Sequence, residues 1–216
     1  GQSNVDRFAI TYLSQIEDKG AKWDFDYAPS PNHAIKFGAS FTQHAYDPGV
    51  NSITFSSGGN SIDTNFGSFS QMANDYVAYL QDDWKIGDRL RVNAGIHFNG
   101  FQVEQVNYSS LQPRLSARYL LSEKSSLKWS YVQMVQYMHL LANQTIGLPT
   151  DLWVPVTASI RPQEAWQTAI GYAHNLGQGW ELTLEGYYKD MQNLIEYKDG
   201  ASFLFGFEDW QQKVTV

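Results

Sequence analysis

The chain has 216 residues, 15 Lys+Arg against 22 Asp+Glu for a formal net charge of −7, and no cysteine. The acidic balance, without a clustered basic footprint, excludes nucleic-acid binding, and the missing cysteines remove disulfides, thiolate metal sites and cysteine nucleophiles together. Hydrophobic residues make up 43% and aromatics 15%, too many for a disordered chain, yet no apolar run approaches the ~18 residues that suggest a membrane-crossing helix.

The chain opens on Gly1-Gln2-Ser3 without a basic-then-apolar leader, which fits either a processed product or a slice of a longer protein. From there, period-two alternation dominates. In Ala21–Ala28, Trp23, Phe25 and Tyr27 oppose Lys22, Asp24 and Asp26; in His33–Gln43, Ile35, Phe37, Ala39 and Phe41 oppose Lys36, Gly38, Ser40 and Thr42. Asp75–Lys85 is extended but less clean. Arg89–Phe101 sets Leu90, Val92, Ala94, Ile96 and Phe98 against Arg89, Arg91, Asn93, Gly95, His97 and Asn99. Leu115, Ala117, Tyr119 and Leu121 then oppose Arg114, Ser116 and Arg118. Ser126–Gln136 and Glu164–His174 read as strands, and Trp180, Leu182 and Leu184 oppose Glu181, Thr183 and Glu185. No long segment carries a 3.6-residue apolar period, so the chain is all-β.

Short, turn-like links at Ala28–Asn32, Ile86–Asp88, Ser122–Ser125 and Leu176–Gly179 alternate with longer, looser stretches. The latter are expected at His44–Asn74, Gln102–Leu111, Tyr137–Gln163 and Lys198–Asp209. Parity alone does not separate a soluble sandwich, polar face outward, from a membrane barrel, apolar face outward. Three features favour the barrel. The strands run to about ten residues or more, short turns alternate with long loops, and rings crowd near strand ends, as headgroup girdles require.

The residues Asp75-Tyr-Val-Ala-Tyr-Leu-Gln-Asp-Asp-Trp84, followed by Asp88-Arg89-Leu90 and Gly95-Ile96-His97-Phe98, resemble a hairpin of the TonB-dependent outer-membrane receptors, with His97-Phe98 in place of the usual Arg-Tyr pair. Gln112-Pro113-Arg114-Leu115 with Tyr119, Leu127–Tyr131, Arg161-Pro162-Gln163-Glu164 and Gly186–Ile195 are similar to later strands of that family, in the family's order. The resemblance spans about Asp75 to Tyr197. It implies a fold that is an antiparallel up-and-down meander, a segment of a transmembrane β-barrel. Such receptors form barrels of about 22 strands with a plugged lumen. This chain would hold about nine to ten strands over residues 1–216, without a recognisable plug domain or TonB-contacting segment. The strand edges of such a slice are expected near Phe8–Ile16 and near Val214.

The function so implied is capture and import of a scarce nutrient (siderophore, cobalamin, glycan or similar) at the bacterial outer membrane. The partners implied are that ligand, outer-membrane lipid, and TonB only through a plug domain; no nucleic acid and no cofactor are expected. The slice alone would not transport, and it carries no enzyme signature. The histidines His33, His44, His97, His139 and His174 are scattered, whereas zinc sites announce themselves by clustered ligands. Glu181 and Glu185 lie about 13 Å apart by the strand rise, too far for a glycosidase pair. Ligand-binding candidates are Trp153, on the long Tyr137–Gln163 loop, and Arg91, Arg114 and Arg118 on the polar face, where clustered cations attract an anionic ligand or bond a plug. Arg89 and Lys128 share that face. The alternative reading is a soluble β-sandwich that binds carbohydrate.

Overall fold

A computed structural model describes residues 7–57, 60–67, 70–141, 152–198, 211 and 214–215. Thirteen strands follow in order: β1 (Arg7–Ser30), β2 (His33–Ser57), β3 (Asn60–Gly67), β4 (Gln71–Ile86), β5 (Leu90–Val103), β6 (Val106–Ser122), β7 (Ser125–Gln136), β8 (Met138–Leu141), β9 (Leu152–Pro155), β10 (Gln163–Gly177), β11 (Trp180–Gln192), β12 (Glu196–Tyr197) and β13 (Val214–Thr215). One sheet runs β1-β2-β4-β5-β6-β7-β10-β11, with β3 paired to the far half of β2. Every pairing in it is antiparallel; all but β2–β4 and β7–β10 join chain neighbours, the outcome that tight hairpin links favour. The β8–β9 and β12–β13 pairs stand apart.

The short links are tight. Gly87, Gly177 and Gly179 take φ of 61°, 85° and 85°, values that cost glycine little because it has no Cβ. Adjacent turns are tied to one another through Lys85 N to Asn32 O and Asn175 N to Lys124 O, at 2.8 and 2.7 Å. Two of the stretches expected to be loose are not. β2 continues through the Ser- and Asn-rich segment to Ser57, paired with β1 on one side and β3 on the other, because Asn51–Phe55 alternates like the strand before it. Gln102–Leu111 is a hairpin whose turn is only Glu104 and Gln105, with Glu104 at φ 53°. Lys198–Asp209 falls, apart from Lys198, outside the described residues.

Register sorts the side chains onto two faces. One carries Phe25, Phe37, Leu80, Ile96, Leu115, Ile170 and Leu184, all exposed; the one carboxylate between its rings among the described residues, Asp82, lies near the short-turn end and is held 2.7 Å from His33 Nδ1. Rings mark its upper and lower limits. Phe41–Tyr76 and Trp166–Tyr188 contact at 5.1 and 5.3 Å toward the long-link end, and Trp84, stacked on His33 at 5.3 Å, stands with Tyr27, Tyr119 and Trp180 toward the short-turn end. Tyr76 and Trp84 are eight residues apart on β4, roughly 26 Å by the strand rise. At the ~40° strand tilt of a membrane barrel that length rises about 20 Å along the normal, most of its ~25 Å apolar band. β1 and β2, at 24 and 25 residues, far exceed the roughly ten needed to span and project beyond the band.

The opposite, inner face is polar in its lower half. Gly38 is required there: an added Cβ would lie 2.8 Å from both Asp24 Oδ1 and the Tyr79 ring. Tyr79 crosses over it and donates to Asp24 at 2.6 Å. Pro113 sits in β6 where the β6–β7 ladder starts, at Arg114↔Val132, so its missing N–H breaks no bond of that ladder.

The core lies at the upper end of the inner face. Tyr46, Ala73, Phe101, Val103, Tyr137 and Val156 bury one another, with Phe101 and Tyr137 stacked at 5.1 Å. Val156 arrives there because the segment after β9 folds back, its N–H bonded to Tyr137 O at 3.0 Å. The expected edge near Val214 is corrected. The sheet edge beyond β10 is β11, and Val214 is instead paired with Tyr197 and buried against Leu141, Val154 and Ile160. An apolar Val among those side chains leaves water by packing there rather than by extending the wall. β1, which contains Phe8–Ile16, is the other edge.

Candidate functional site

Four of the five cations on β4–β7 form one transverse row. Lys85 stands opposite Arg91, Arg91 opposite Arg118, and Arg118 opposite Lys128. Neighbouring strands lie about 4.8 Å apart, so the row spans about 15 Å of the inner face. It borders a recess of about 560 Å³, lined by Asp83, Arg91, Arg118, Lys128, Glu185 and Tyr187 among others. Like charges directly opposite on a sheet are destabilising. A single partner relieves the row: Asp83 accepts from Arg91 Nε at 2.7 Å and from Nη2 at 2.9 Å, the bidentate geometry that suits guanidinium to carboxylate. Lys85, Arg118 and Lys128 have no ion pair or hydrogen bond to another side chain among the described residues.

Of the expected ligand residues, Arg91 and Arg118 therefore meet, with Lys128 beside them. Arg114 is on the same face, four residues from Arg118 along β6, and lines a smaller recess of about 210 Å³ with Tyr79, Gln81 and His97. Arg89 belongs to the Gly87–Arg89 turn, where its carbonyl accepts from Leu120 N at 2.8 Å. Trp153 does not join these groups. It is half-exposed on β9 opposite Leu140, at the other end of the inner face. Reasoning from the sequence missed Lys85 and Asp83. Parity assigns both to the inner face, since they alternate with Trp84, but only register shows them adjoining the arginines.

The upper inner face is built differently. His44 Nδ1 lies 2.7 Å from Asp18 Oδ1, Asn99 donates to Asp75 at 2.8 Å, and Tyr137 and Tyr108 donate to Ser110 Oγ and Thr157 O at 2.8 and 2.6 Å. In the β8–β9 hairpin, His139 is fully buried opposite Val154. No side chain offers its ring nitrogens a hydrogen bond, and burial, only partly offset by the Arg161 backbone, pushes its pKa down to about 4. Among the described residues no group of three or more His, Asp or Glu side chains is placed to hold a metal ion.

An apolar, aromatic-bounded band on one face, with the His33–Asp82 pair at its short-turn margin, and a polar, charged face behind it define a segment of a transmembrane β-barrel wall. The chain belongs to the family of TonB dependent receptor-like β-barrels, whose family model matches residues 2–213. Among solved structures, it is similar to the FrpB iron transporter of Neisseria meningitidis. The F3-3 variant aligns with a TM-score of 0.59 and 13% identity over 87% of this chain and 30% of FrpB. The apoprotein form of the F5-1 variant gives 0.58 and 12% over 86% and 31%. At that identity the likeness is one of fold. The chain thus spans about a third of the length of these neighbours. No curated protein matches it in sequence.

Proposed function

We propose that this chain forms part of the wall of an outer-membrane transporter that imports a scarce nutrient from outside the cell, driven through TonB. The observation that carries the reading is the division of faces, apolar and ring-bounded outside, charged and hydrogen-bonded inside, on a sheet of a family of receptors for such uptake. Transport rather than catalysis fits an inner face whose cations sit four strands wide instead of converging with an acid–base pair. The strands here supply wall and loops; transport belongs to the whole receptor, with TonB acting through a plug domain. Trp153 at the loop end and Arg91, Arg114 and Arg118 below are the proposed contacts to ligand or plug. The described residues leave the nutrient open among siderophore, cobalamin and glycan. An iron-bearing ligand is the first to test, because FrpB carries the name of an iron transporter.

The test is deletion of the whole receptor in its source bacterium and measurement of uptake of radiolabelled ferric iron, alone and chelated, in tonB-positive and tonB-negative backgrounds. The reading expects uptake that needs both genes. Unchanged uptake of every nutrient class, with the receptor absent from the outer membrane fraction, would overturn it.

A further inference from the structure

We infer that His33, Asp82 and Trp84 form a site on the outer face of the wall for the primary ammonium headgroup of a phospholipid in the periplasmic leaflet. The inference rests on the barrel reading above and concerns the face turned to lipid. Register brings the three residues together. On the β2–β4 ladder His33 stands opposite Trp84 and Ile35 opposite Asp82, on the same face as Phe37 and Leu80. Across the two ladders Asp82 is flanked by Ile35 and Ala94. Its partner among the described residues is therefore not a lysine or arginine but His33, whose Nδ1 lies 2.7 Å from Oδ2. The second oxygen, Oδ1, is covered and makes no hydrogen bond. An ionisable side chain on a membrane-facing wall is costly and marks a functional site when its charge is left unanswered. A neutral imidazole bonds the carboxylate without cancelling that charge.

The chemistry of the surroundings specifies what answers it. A carboxylate only accepts, so Nδ1 carries the shared proton, and in the neutral ring Nε2 is left as an acceptor. Nε2 has no partner among the described residues and is not among the covered polar atoms, so an N–H donor reaches it from the membrane. Trp84 stacks on His33 with ring centres 5.3 Å apart. It is exposed, as is Tyr27 opposite Ile35, and the faces of such rings attract an ammonium group. Acceptor, negative charge and ring faces thus converge on a cation that carries N–H donors. A quaternary ammonium lacks the donor, and a headgroup with phosphate alone brings the wrong charge to Asp82. The level agrees. The group lies at the short-turn margin of the band, where headgroups meet the wall, and the short turns of such barrels are periplasmic.

Native mass spectrometry of the full-length receptor in detergent tests this, with phosphatidylethanolamine, phosphatidylcholine and phosphatidylglycerol of the same acyl chains offered in equal amounts. The wild type is expected to retain severalfold more phosphatidylethanolamine than either of the others. Asp82→Asn and His33→Gln should each bring that retention down to the phosphatidylcholine level, whereas Glu181→Gln, in β11 on the inner face, should leave it unchanged. Variants are compared once heat-modifiable electrophoretic mobility shows a closed barrel; the contrast between the first two lipids on the wild type needs no variant. Three results overturn the proposal: equal retention of phosphatidylethanolamine and phosphatidylcholine, retention of phosphatidylglycerol above both, or a preference that survives both substitutions. The second would assign the site to a phosphate. Failure of the barrel reading itself is read separately, as absence of tryptophan quenching by brominated lipid of any headgroup in reconstituted vesicles.

Discussion

The two ends of the inner face are made by the same strands and differ in almost everything else. On β5, Phe101 and Val103 at one end are 3% and 1% exposed, while Arg91, ten residues earlier on the same face, is more than half exposed. The upper end is packed by Tyr137 and Val156, delivered by the segment that carries β8 and β9. The lower end has no cover within the described residues and is lined by charge. One end of the wall has brought its own filling; the other is an open, charged recess among the described residues. Strand parity is equal at both ends, so the difference arises from which segments fold back onto the sheet.

The comparison is broken most severely by removing the packed end's central ring. Phe101→Ala deletes a ring stacked on Tyr137 and should cost about 3–5 kcal/mol, the usual range for a buried Phe truncation. The amide of Val156, bonded to Tyr137 O, should then exchange with solvent much faster, whereas Ser116→Ala in the open recess should leave it unchanged. Equal effects of the two would mean that the ends are not differently packed.

A second substitution tests which face meets lipid. Ile96→Arg places an unpaired charge in the apolar band and should cost about 2–4 kcal/mol in a bilayer. His97→Arg, one residue on and inward, should cost far less by the same unfolding assay in vesicles. Equal tolerance would leave the apolar face buried against protein, as in a sandwich.

Acid should open the packed end alone. His139 is buried neutral, with its pKa lowered to about 4 from an ordinary value near 6.5. A folded pKa below the unfolded one means that the unfolded hairpin binds the extra proton. Stability is therefore complete above about pH 6.5 and is lost as pH falls toward 4, by up to about 3 kcal/mol. Val156 amide exchange, corrected for its intrinsic pH dependence, should accelerate over that window. His139→Leu should flatten the profile, and a profile unchanged by that substitution would remove His139 as the cause.

Much of this was legible in the sequence, and the limits were physical. Alternation placed Val92 and Ile96 on one face and Arg91, Arg114 and Arg118 on the other, because a two-residue period is a local property. The order of pairing followed from the short links. The length of β2 beyond His44 was hidden by Ser, Asn and Gly, residues that composition assigns to loops but that pairing with β1 and β3 holds extended. Glu104–Gln105 was hidden because a left-handed φ at a non-glycine residue has no strong sequence signal. The cation row required register between strands up to 43 residues apart, which no local pattern encodes. The fold-back of Val156 onto Tyr46 and Phe101 required the whole sheet.

The smallest expected effect is at the one neutralised position of the row, and it sharpens the comparison most finely. Asp83→Asn removes the carboxylate held by Arg91 while keeping the side chain's shape. With Arg91 more than half exposed, water screens the pair, and pairs of this kind contribute little. A double-mutant cycle with Arg91→Gln should return a small coupling, shrinking at about 1 M NaCl. The sign should favour the wild type, since removing Asp83 leaves four like charges in line without relief. A large coupling that survives salt is the behaviour of a desolvated pair. It would place the row in a closed interior, with its cover already supplied by this chain, and the two ends of the inner face would no longer differ in kind.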